Sequence, residues 1–540
     1  MNPPDRSLLL LQTAIAHHRA GRLAEACSHY AQVRKLLPRN FDAVHLGGTA
    51  LLQLGRPAEA IPLLTQALRI DPRSAVCAMR LGLAYLSHGN LSEAEKSLRA
   101  VVAQHPQFHE AWDNLGMVLK STGNLKEALS AHHRSVELQP RYAAGWYNEG
   151  LTHSMLGNSA AALECHERAL KANSDHPHAR YGRGQALQQL HRIEDAIASY
   201  DDQLARFPDH HPTRSSRLMA LNYRSHLSRE SLYAEHAEFG DQVEKSCREA
   251  LVARGSATSD DKEQARIKIA FLSPDLRTHA VASFIESLLA RLDRETFDLF
   301  LYHDHFVVDA TSDRLRARAR LWRNFIGQPD AAVERQIRDD APDILVDLAG
   351  HTGLNRLPLF ARRVAPVQIS YLGYPNTTGL KTMDFRFTDQ WADPVGASDA
   401  FHTERLVRIG PCAWAYQPPA DSPSPAALPC LSRRGVTFGS FNNFSKISDH
   451  TLKLWGRILD RVPDSRLVLK SHTATDASFS RRLCDQGIEL SRVDLLPSAA
   501  SINAHLELYS KMDIALDTYP YHGTTTTCEA LWMQRPVITL

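Results

Sequence analysis

The sequence predicts an α-solenoid followed by two doubly wound parallel α/β units. Three observations predict it. Glycine, alanine and proline recur every 34 residues through the first 210 positions. Beyond a polar stretch near residue 260, helical periodicity gives way to short apolar runs alternating with helical stretches. A second polar, proline-rich stretch, Gln417 to Arg434, cuts that alternation in two. Helical and strand periods differ physically, so a change of period marks a change of architecture.

The chain has 540 residues, enough at roughly 150 residues per domain for three or four domains. Sixty-two basic and 60 acidic residues leave a net charge of +2, which disfavours a strongly electrostatic nucleic-acid binder. No run of about 18 apolar residues is present, so no membrane span is expected. The run Leu8 to Leu11 is too short for a signal peptide. The cysteines at 27, 77, 165, 247, 412, 430, 484 and 528 form no CxxC pair and no zinc-spaced Cys/His cluster. Free thiols and a cytoplasmic location are therefore expected.

The first domain is assigned to residues 5–210. Gly21, Gly55, Gly89, Gly123 and Gly157 share one register, with His191 in the next slot. Ala26, Ala60, Ala94, Ala128, Ala162 and Ala196 keep the same period, as do Pro38, Pro72, Pro106, Pro140, Ser174 and Pro208. Glycine makes the turn between paired helices, alanine permits their close crossing, and proline ends the second helix. This is the tetratricopeptide pattern, six repeats long, and it predicts a superhelix with a concave, peptide-binding groove. Trp112 and Trp146, one period apart, either line that groove or pack between helices. An array of this kind binds and does no chemistry by itself.

Residues 211–262 read as a helical junction ending in the polar linker Gly255 to Asp261. The first α/β lobe spans 263–416, with strands expected at 267–272, 297–302, 344–348, 367–371 and 385–387. The linker 417–434 leads to a second lobe, 435–540, with strands expected at 436–438, 467–469, 493–496, 514–516 and 537–540. Two Rossmann-like lobes make a two-part enzyme with a cleft, and ligands of such sheets sit at the carboxyl ends of the strands.

Those strand ends carry the candidate residues. Asp275 and His279 follow the first strand, four residues apart. They either orient an acceptor and relay a proton, or form an N-cap aspartate beside a solvated histidine. Asp347 to Thr352 and Leu372 to Gly379 are glycine-bearing turns, fit for close approach to a ligand or simply for turning. Lys446, in Phe441-Asn442-Asn443-Phe444-Ser445-Lys446, is either a point charge for a diphosphate or a surface lysine. Gly523 followed by Thr524, Thr525, Thr526 and Thr527 opens a helix, which makes either an anion site or a set of threonine caps. Glu529 is placed to accept from a sugar hydroxyl or to pair with the helix dipole. No Walker lysine motif, GxGxxG or metal constellation stands at these turns, which disfavours P-loop NTPases and dehydrogenases.

Tetratricopeptide repeats followed by GYPNTTG, FNNFSK and PYHGTTTTCE resemble the O-GlcNAc transferase/Spindly family of protein glycosyltransferases. The resemblance implies a GT-B fold, a nucleotide-sugar donor in the cleft, and inverting transfer to Ser/Thr hydroxyls of proteins held by the repeats, with no metal. It implies Lys446 on the donor diphosphate, Thr525 and Thr526 on the phosphates, Glu529 on the ribose, Asn443 beside the donor and His505 near the base. Asp275 and His279 match cleft residues that act on the acceptor, and Gly373, Tyr374 and Pro375 match the loop near the sugar. UDP-GlcNAc is the expected donor. Thr524 replaces a histidine of the animal transferases and Asn443 replaces a glutamine, which keeps GDP-fucose, used by plant Spindly-like members, as the alternative. The family continues beyond a strand equivalent to Val537–Leu540, so the second lobe is expected to be incomplete. A catalytically idle scaffold and a sugar-nucleotide epimerase are the further alternatives.

Overall fold

The computed structural model describes residues 3–251, 266–470 and 477–540. The expected linker Gly255–Asp261 lies outside the described residues. The chain divides into two compact units, residues 1–186 and 187–540.

The first unit is a stack of helix pairs. Each lattice glycine adopts the left-handed conformation, from φ +71° at Gly55 to +85° at Gly89. Such a φ costs glycine nothing and strains other residues. Ala26, Ala60, Ala94, Ala128 and Ala162 are fully buried where helices cross. The two tryptophans serve interhelix packing. Trp112 Nε1 donates to the Pro106 carbonyl and Trp146 Nε1 to that of Pro140, both at 2.9 Å. Each indole ties the first helix of its repeat to the turn before it.

The repeat pattern runs to 210, and the second compact unit starts at Leu187, inside the sixth repeat. The reason is visible at His191, which takes the glycine slot with φ +63°. Its ring packs 5.5 Å from Phe444 and 5.9 Å from Phe479, both core residues of the last lobe. The helix Ile193–Arg206 is thus the second helix of a repeat that lies within the second compact unit.

The second unit holds two parallel sheets. The first contains β1 (Ile267–Ser273), β2 (Phe297–His303), β3 (Leu321–Asn324), β4 (Ile344–Asp347), β5 (Val367–Tyr371), β6 (Phe385–Thr388) and β7 (Arg405–Arg408) in the order β3-β2-β1-β4-β5-β6-β7. The second contains β8 (Thr437–Ser440), β9 (Arg466–Lys470), β10 (Val493–Leu496), β11 (Ile514–Leu516) and β12 (Val537–Ile538) in the order β10-β9-β8-β11-β12. Both orders reverse beside the lobe's first strand, the switch point at which such sheets bind ligands. β3 and β7 escape the sequence reading because they are edge strands: arginines interrupt their apolar runs, and charge at an edge blocks further pairing.

The helix Arg229–Leu251 and the first lobe touch backbone to backbone. A Cβ on Gly240 would stand 1.8 Å from the Gly379 carbonyl oxygen, so only glycine fits the crossing. The 417–434 segment packs along both lobes: Gln417 N donates to the Ser283 carbonyl and Arg535 Nη2 to that of Ala426.

Candidate active site

A cavity of about 770 Å³ opens between the lobes. The first lobe lines it with Gly373, Pro375 and Arg386, the second with His522, Gly523 and Thr524, and the junction with Asn222 and Arg224.

The second lobe carries the cation. Lys446 ends a short 3-10 turn just after β8. Its Nζ donates to the His522 carbonyl at 3.0 Å and lies 4.1 Å from the centre of the Tyr521 ring. Burial pushes its ammonium down to about 8, opposed by the attraction of Asp517. A cation held by one carbonyl and one ring keeps donor capacity for an incoming anion. Tyr521 in turn packs against Tyr223 of the junction, ring centres 5.4 Å apart.

The helix Thr525–Trp532 starts at the cavity. Thr524 caps it without a side-chain bond to the backbone. Thr526 Oγ1 donates to Asn442 Oδ1 at 2.8 Å, and Gly523 N donates to Asp517 Oδ1 at 2.8 Å. These bonds hold the loop so that the first amides of the helix keep an open end for anionic oxygen.

Asn442 was not singled out by the sequence; its neighbour Asn443 was. Asn443 is exposed and spends its carbonyl oxygen on Ser445 N at 3.0 Å. Asn442 is the buried one, bonded to Thr526 and reaching Asp517 Oδ1 at 3.4 Å. Alternation along β8 and its extension points one amide inward and the next outward.

Glu529 and His505 face each other. His505 Nε2 donates to Glu529 Oε2 at 2.9 Å, Lys470 Nζ donates to His505 Nδ1 at 2.9 Å, and Tyr509 Oη donates to Glu529 Oε2 at 3.0 Å. Both of these bonds to the buried carboxylate fall on Oε2. Beside it, burial and the carboxylate push the Tyr509 phenol well above its ordinary range.

In the first lobe Asp275 is buried and His279 exposed, with His279 Nδ1 3.6 Å from Asp275 Oδ2. His279, not Asp275, caps the helix Ala280–Arg291: its Nδ1 accepts from Val281 N at 3.3 Å. Although one edge of the ring meets solvent, the surrounding protein desolvates it and lowers the imidazole below its usual value, Asp275 opposing and Arg277 assisting. A neutral ring that accepts through Nδ1 carries its proton on Nε2, so it offers a donor to solvent.

The Gly373-Tyr374-Pro375 loop behaves otherwise than its glycine suggests. A Cβ at Gly373 would meet the Leu348 carbonyl oxygen at 1.8 Å, so the close approach is to the protein's own chain. Tyr374 is buried, its hydroxyl accepting from Asn222 Nδ2 and bonded to His236 Nε2, both at 2.7 Å. Pro375 and the Gly373 backbone face the cavity; the tyrosine side chain faces the junction. Asp347 likewise serves its own turn, accepting from Ala349 N at 3.1 Å and Gly350 N at 2.7 Å.

Residues 188–411 and 428–540 match the family model for glycosyl transferase family 41. The chain belongs to that family. Tetratricopeptide models match 6–75, 51–116, 109–142 and 147–211. The family match starts at 188, next to the unit boundary at 187. Over 334 residues the chain is 41% identical to a tomato protein described as a probable UDP-N-acetylglucosamine–peptide N-acetylglucosaminyltransferase SPINDLY, covering 60% of this chain and 35% of that relative. It is 28% identical over 289 residues to the Arabidopsis thaliana protein SEC, covering 51% of this chain and 29% of that one. The chain thus spans about a third of the length of the curated relatives it matches. A mutant form of the Thermobaculum terrenum O-GlcNAc transferase superposes with a TM-score of 0.74 at 32% identity, over 80% of this chain and 82% of that one. Among the described residues no helix is long and apolar enough to cross a membrane.

Within the family frame, Gly373, Pro375, Thr524 and Thr527 line one cavity, and Lys446 sits against its lining residues Tyr521 and His522. The structure sets Glu529 and His505 together behind the start of the helix Thr525–Trp532, and it turns Asn443 and the Tyr374 side chain away.

Proposed function

We propose that the chain is an inverting protein O-glycosyltransferase, moving N-acetylglucosamine from UDP-GlcNAc to serine or threonine hydroxyls of proteins held by the repeats. The observation that carries this reading is Lys446, an ammonium held at the cavity rim by the His522 carbonyl and the Tyr521 ring.

In the reaction the acceptor hydroxyl oxygen attacks the anomeric carbon. The bond from that carbon to the donor's phosphate oxygen breaks, and the hydroxyl proton passes to an oxygen of the departing diphosphate. Charge builds on the departing diphosphate. Lys446 and the amides at the start of the helix Thr525–Trp532 stabilise that charge, which is where catalysis gains most. Glu529 Oε1 accepts from a ribose hydroxyl while His505 and Tyr509 hold Oε2. His279 Nε2–H donates to substrate and positions it; with Nδ1 already engaged, the ring is not set up as the proton acceptor. Asp275, buried 3.6 Å from both His279 and Arg277, fixes that pair.

The names of the tomato relative and the Thermobaculum neighbour support N-acetylglucosamine as the sugar. A second reading, fucose from GDP-fucose, is favoured by Thr524 at the slot where animal transferases carry histidine. Calorimetry of the full chain with UDP and with GDP separates them. UDP binding at least tenfold tighter supports the first reading. Tighter GDP binding moves the assignment to the second, and binding of neither removes the donor site.

A further inference from the structure

The fifth repeat pairs the helices Ala143–Met155 and Ser159–Ala172. Glu149 and His153 stand four residues apart on the first helix and so share a face. Cys165 comes from the second. One ligand-capable atom of each lies within 4.8 Å of the other two.

The lattice shows how unusual these three are. One period earlier the same positions are Leu115, Leu119 and Ala131, all buried in the core of the fourth repeat. The fifth repeat replaces two leucines and an alanine by a carboxylate, an imidazole and a thiol. Glu149 is only 4% exposed, and its Oε2 has no hydrogen-bond partner. His153 Nδ1 is also buried without one. Cys165 is a buried free thiol. Leaving a buried polar group unpaired is unfavourable, so two of them here, where the neighbouring repeat has leucine, point to a ligand that would pair them.

We propose that Glu149, His153 and Cys165 bind a divalent metal ion of borderline softness, zinc foremost. Thiolate, imidazole and carboxylate together are a zinc-type donor set. Bond lengths of about 2.0–2.3 Å place neighbouring ligands roughly 3.3–3.8 Å apart, so closing the cluster on an ion takes small side-chain shifts. On binding, the thiol proton leaves to solvent. One thiolate, one carboxylate and a neutral imidazole then cancel the charge of the ion, which suits a buried site. His133 Nδ1, 3.1 Å from Glu149 Oε1, orients the carboxylate from behind. Three protein ligands leave a fourth position for water. The ion bolts one helix of the repeat to the other. Spacing rules miss the site because its ligands lie on two helices with no CxxC.

The test uses the full chain, stripped with chelator and titrated with Co²⁺ and then Zn²⁺. One equivalent of Co²⁺ is expected to give tetrahedral d–d bands and a thiolate-to-cobalt charge-transfer band, both lost on adding Zn²⁺. Zinc should also raise the Tm. Cys165→Ser should remove the charge-transfer band. The combined variant Glu149→Leu, His153→Leu, Cys165→Ala restores the residues of the fourth repeat, so it should fold, and it should show neither band nor zinc-dependent Tm. A wild-type chain with no thiolate band, or a band and Tm shift that survive in the combined variant, overturns the proposal.

Discussion

Two glycine–threonine loops follow strands of the second unit, one in each lobe, and their hydroxyls are spent in opposite ways. In Asn376-Thr377-Thr378-Gly379 the threonines are fully buried. Thr377 Oγ1 donates to Glu404 Oε2 at 2.6 Å, and Thr378 donates to Oε1 through N at 2.7 Å and Oγ1 at 2.5 Å. His351 Nε2 holds the Thr378 carbonyl at 2.9 Å and its Nδ1 meets Ser215 Oγ at 3.1 Å, so the loop fastens the helical junction to the sheet. In Gly523-Thr524-Thr525-Thr526-Thr527 the threonines are half-buried, Thr524 and Thr527 line the cavity, and among the described residues only Thr526 bonds to another side chain, Asn442. The two loops look alike as sequence. What separates them is where the carboxylate sits: Glu404 takes the threonine hydroxyls of the first, whereas Asp517 takes the Gly523 amide of the second and, among the described residues, none of its threonine hydroxyls. A carboxylate set among the hydroxyls repels phosphate from them; hydroxyls left clear of it, at a helix start with a lysine nearby, suit an anion.

The sharpest break of this comparison is Lys446→Ala. Transfer from labelled donor should fall by about 10²–10³-fold or more, the scale set by removing one preorganised charge-stabilising donor. Circular dichroism and Tm should stay near wild type, because Lys446 is held by only one carbonyl and one ring. Retained turnover would make the second loop as structural as the first.

Glu404→Ala probes the opposite loop. Thr377 Oγ1, Thr378 N and Thr378 Oγ1 lose their shared acceptor while buried, and about 1–3 kcal/mol for each group predicts a loss of roughly 3 kcal/mol or more. Denaturant unfolding should show that loss, while the remaining folded protein binds UDP with near-normal Kd. A selective loss of UDP binding with unchanged stability would mean that the first loop, too, serves the donor.

The pH dependence follows from Lys446. Its ammonium titrates at about 8 instead of 10.5, because burial disfavours the charged form. Below about pH 8 the cation is present; above it the amine is neutral. The Kd for UDP should therefore rise about tenfold per pH unit beyond 8 and stay flat between 6.5 and 7.5. Lys446→Arg keeps its charge and should flatten the alkaline limb. An alkaline limb unchanged by that substitution would assign the titration elsewhere.

The repeat lattice and the central strands were legible because their signals are local and periodic. Ala26 to Ala196 sit at the crossings that their spacing implies, and β1, β2, β4 and β5 are short stretches in which apolar residues predominate. The parts that were not legible depend on partners far along the chain. Nothing near Thr377 announces Glu404, 27 residues on, and nothing near Gly379 announces Gly240. Asn442 and Asn443 are adjacent and identical; only the pleat of β8 decides which faces Thr526. His191 broke the glycine lattice in plain view, and its reason lay in Phe444 and Phe479 of the last lobe. A residue that departs from a repeat is thus the best clue a periodic sequence offers.

The finest test concerns how much of the second loop's function is position rather than charge. Thr526→Val keeps shape and removes the hydroxyl that donates to Asn442 Oδ1. One neutral hydrogen bond is worth about 1 kcal/mol, so the Tm should drop by only a few degrees. If the loop is preorganised for a diphosphate, the same bond also fixes the amides of Thr524 and Thr525, and UDP affinity should fall by roughly five- to tenfold. Asn442→Ala removes the acceptor instead of the donor and should reproduce that fall. The pair Thr526→Val, Asn442→Ala should cost little more than either alone, since both break one contact. Two independent, additive losses would show that Asn442 and Thr526 meet the ligand separately, and that this loop, like the one built on Glu404, owes its shape to something other than their mutual bond.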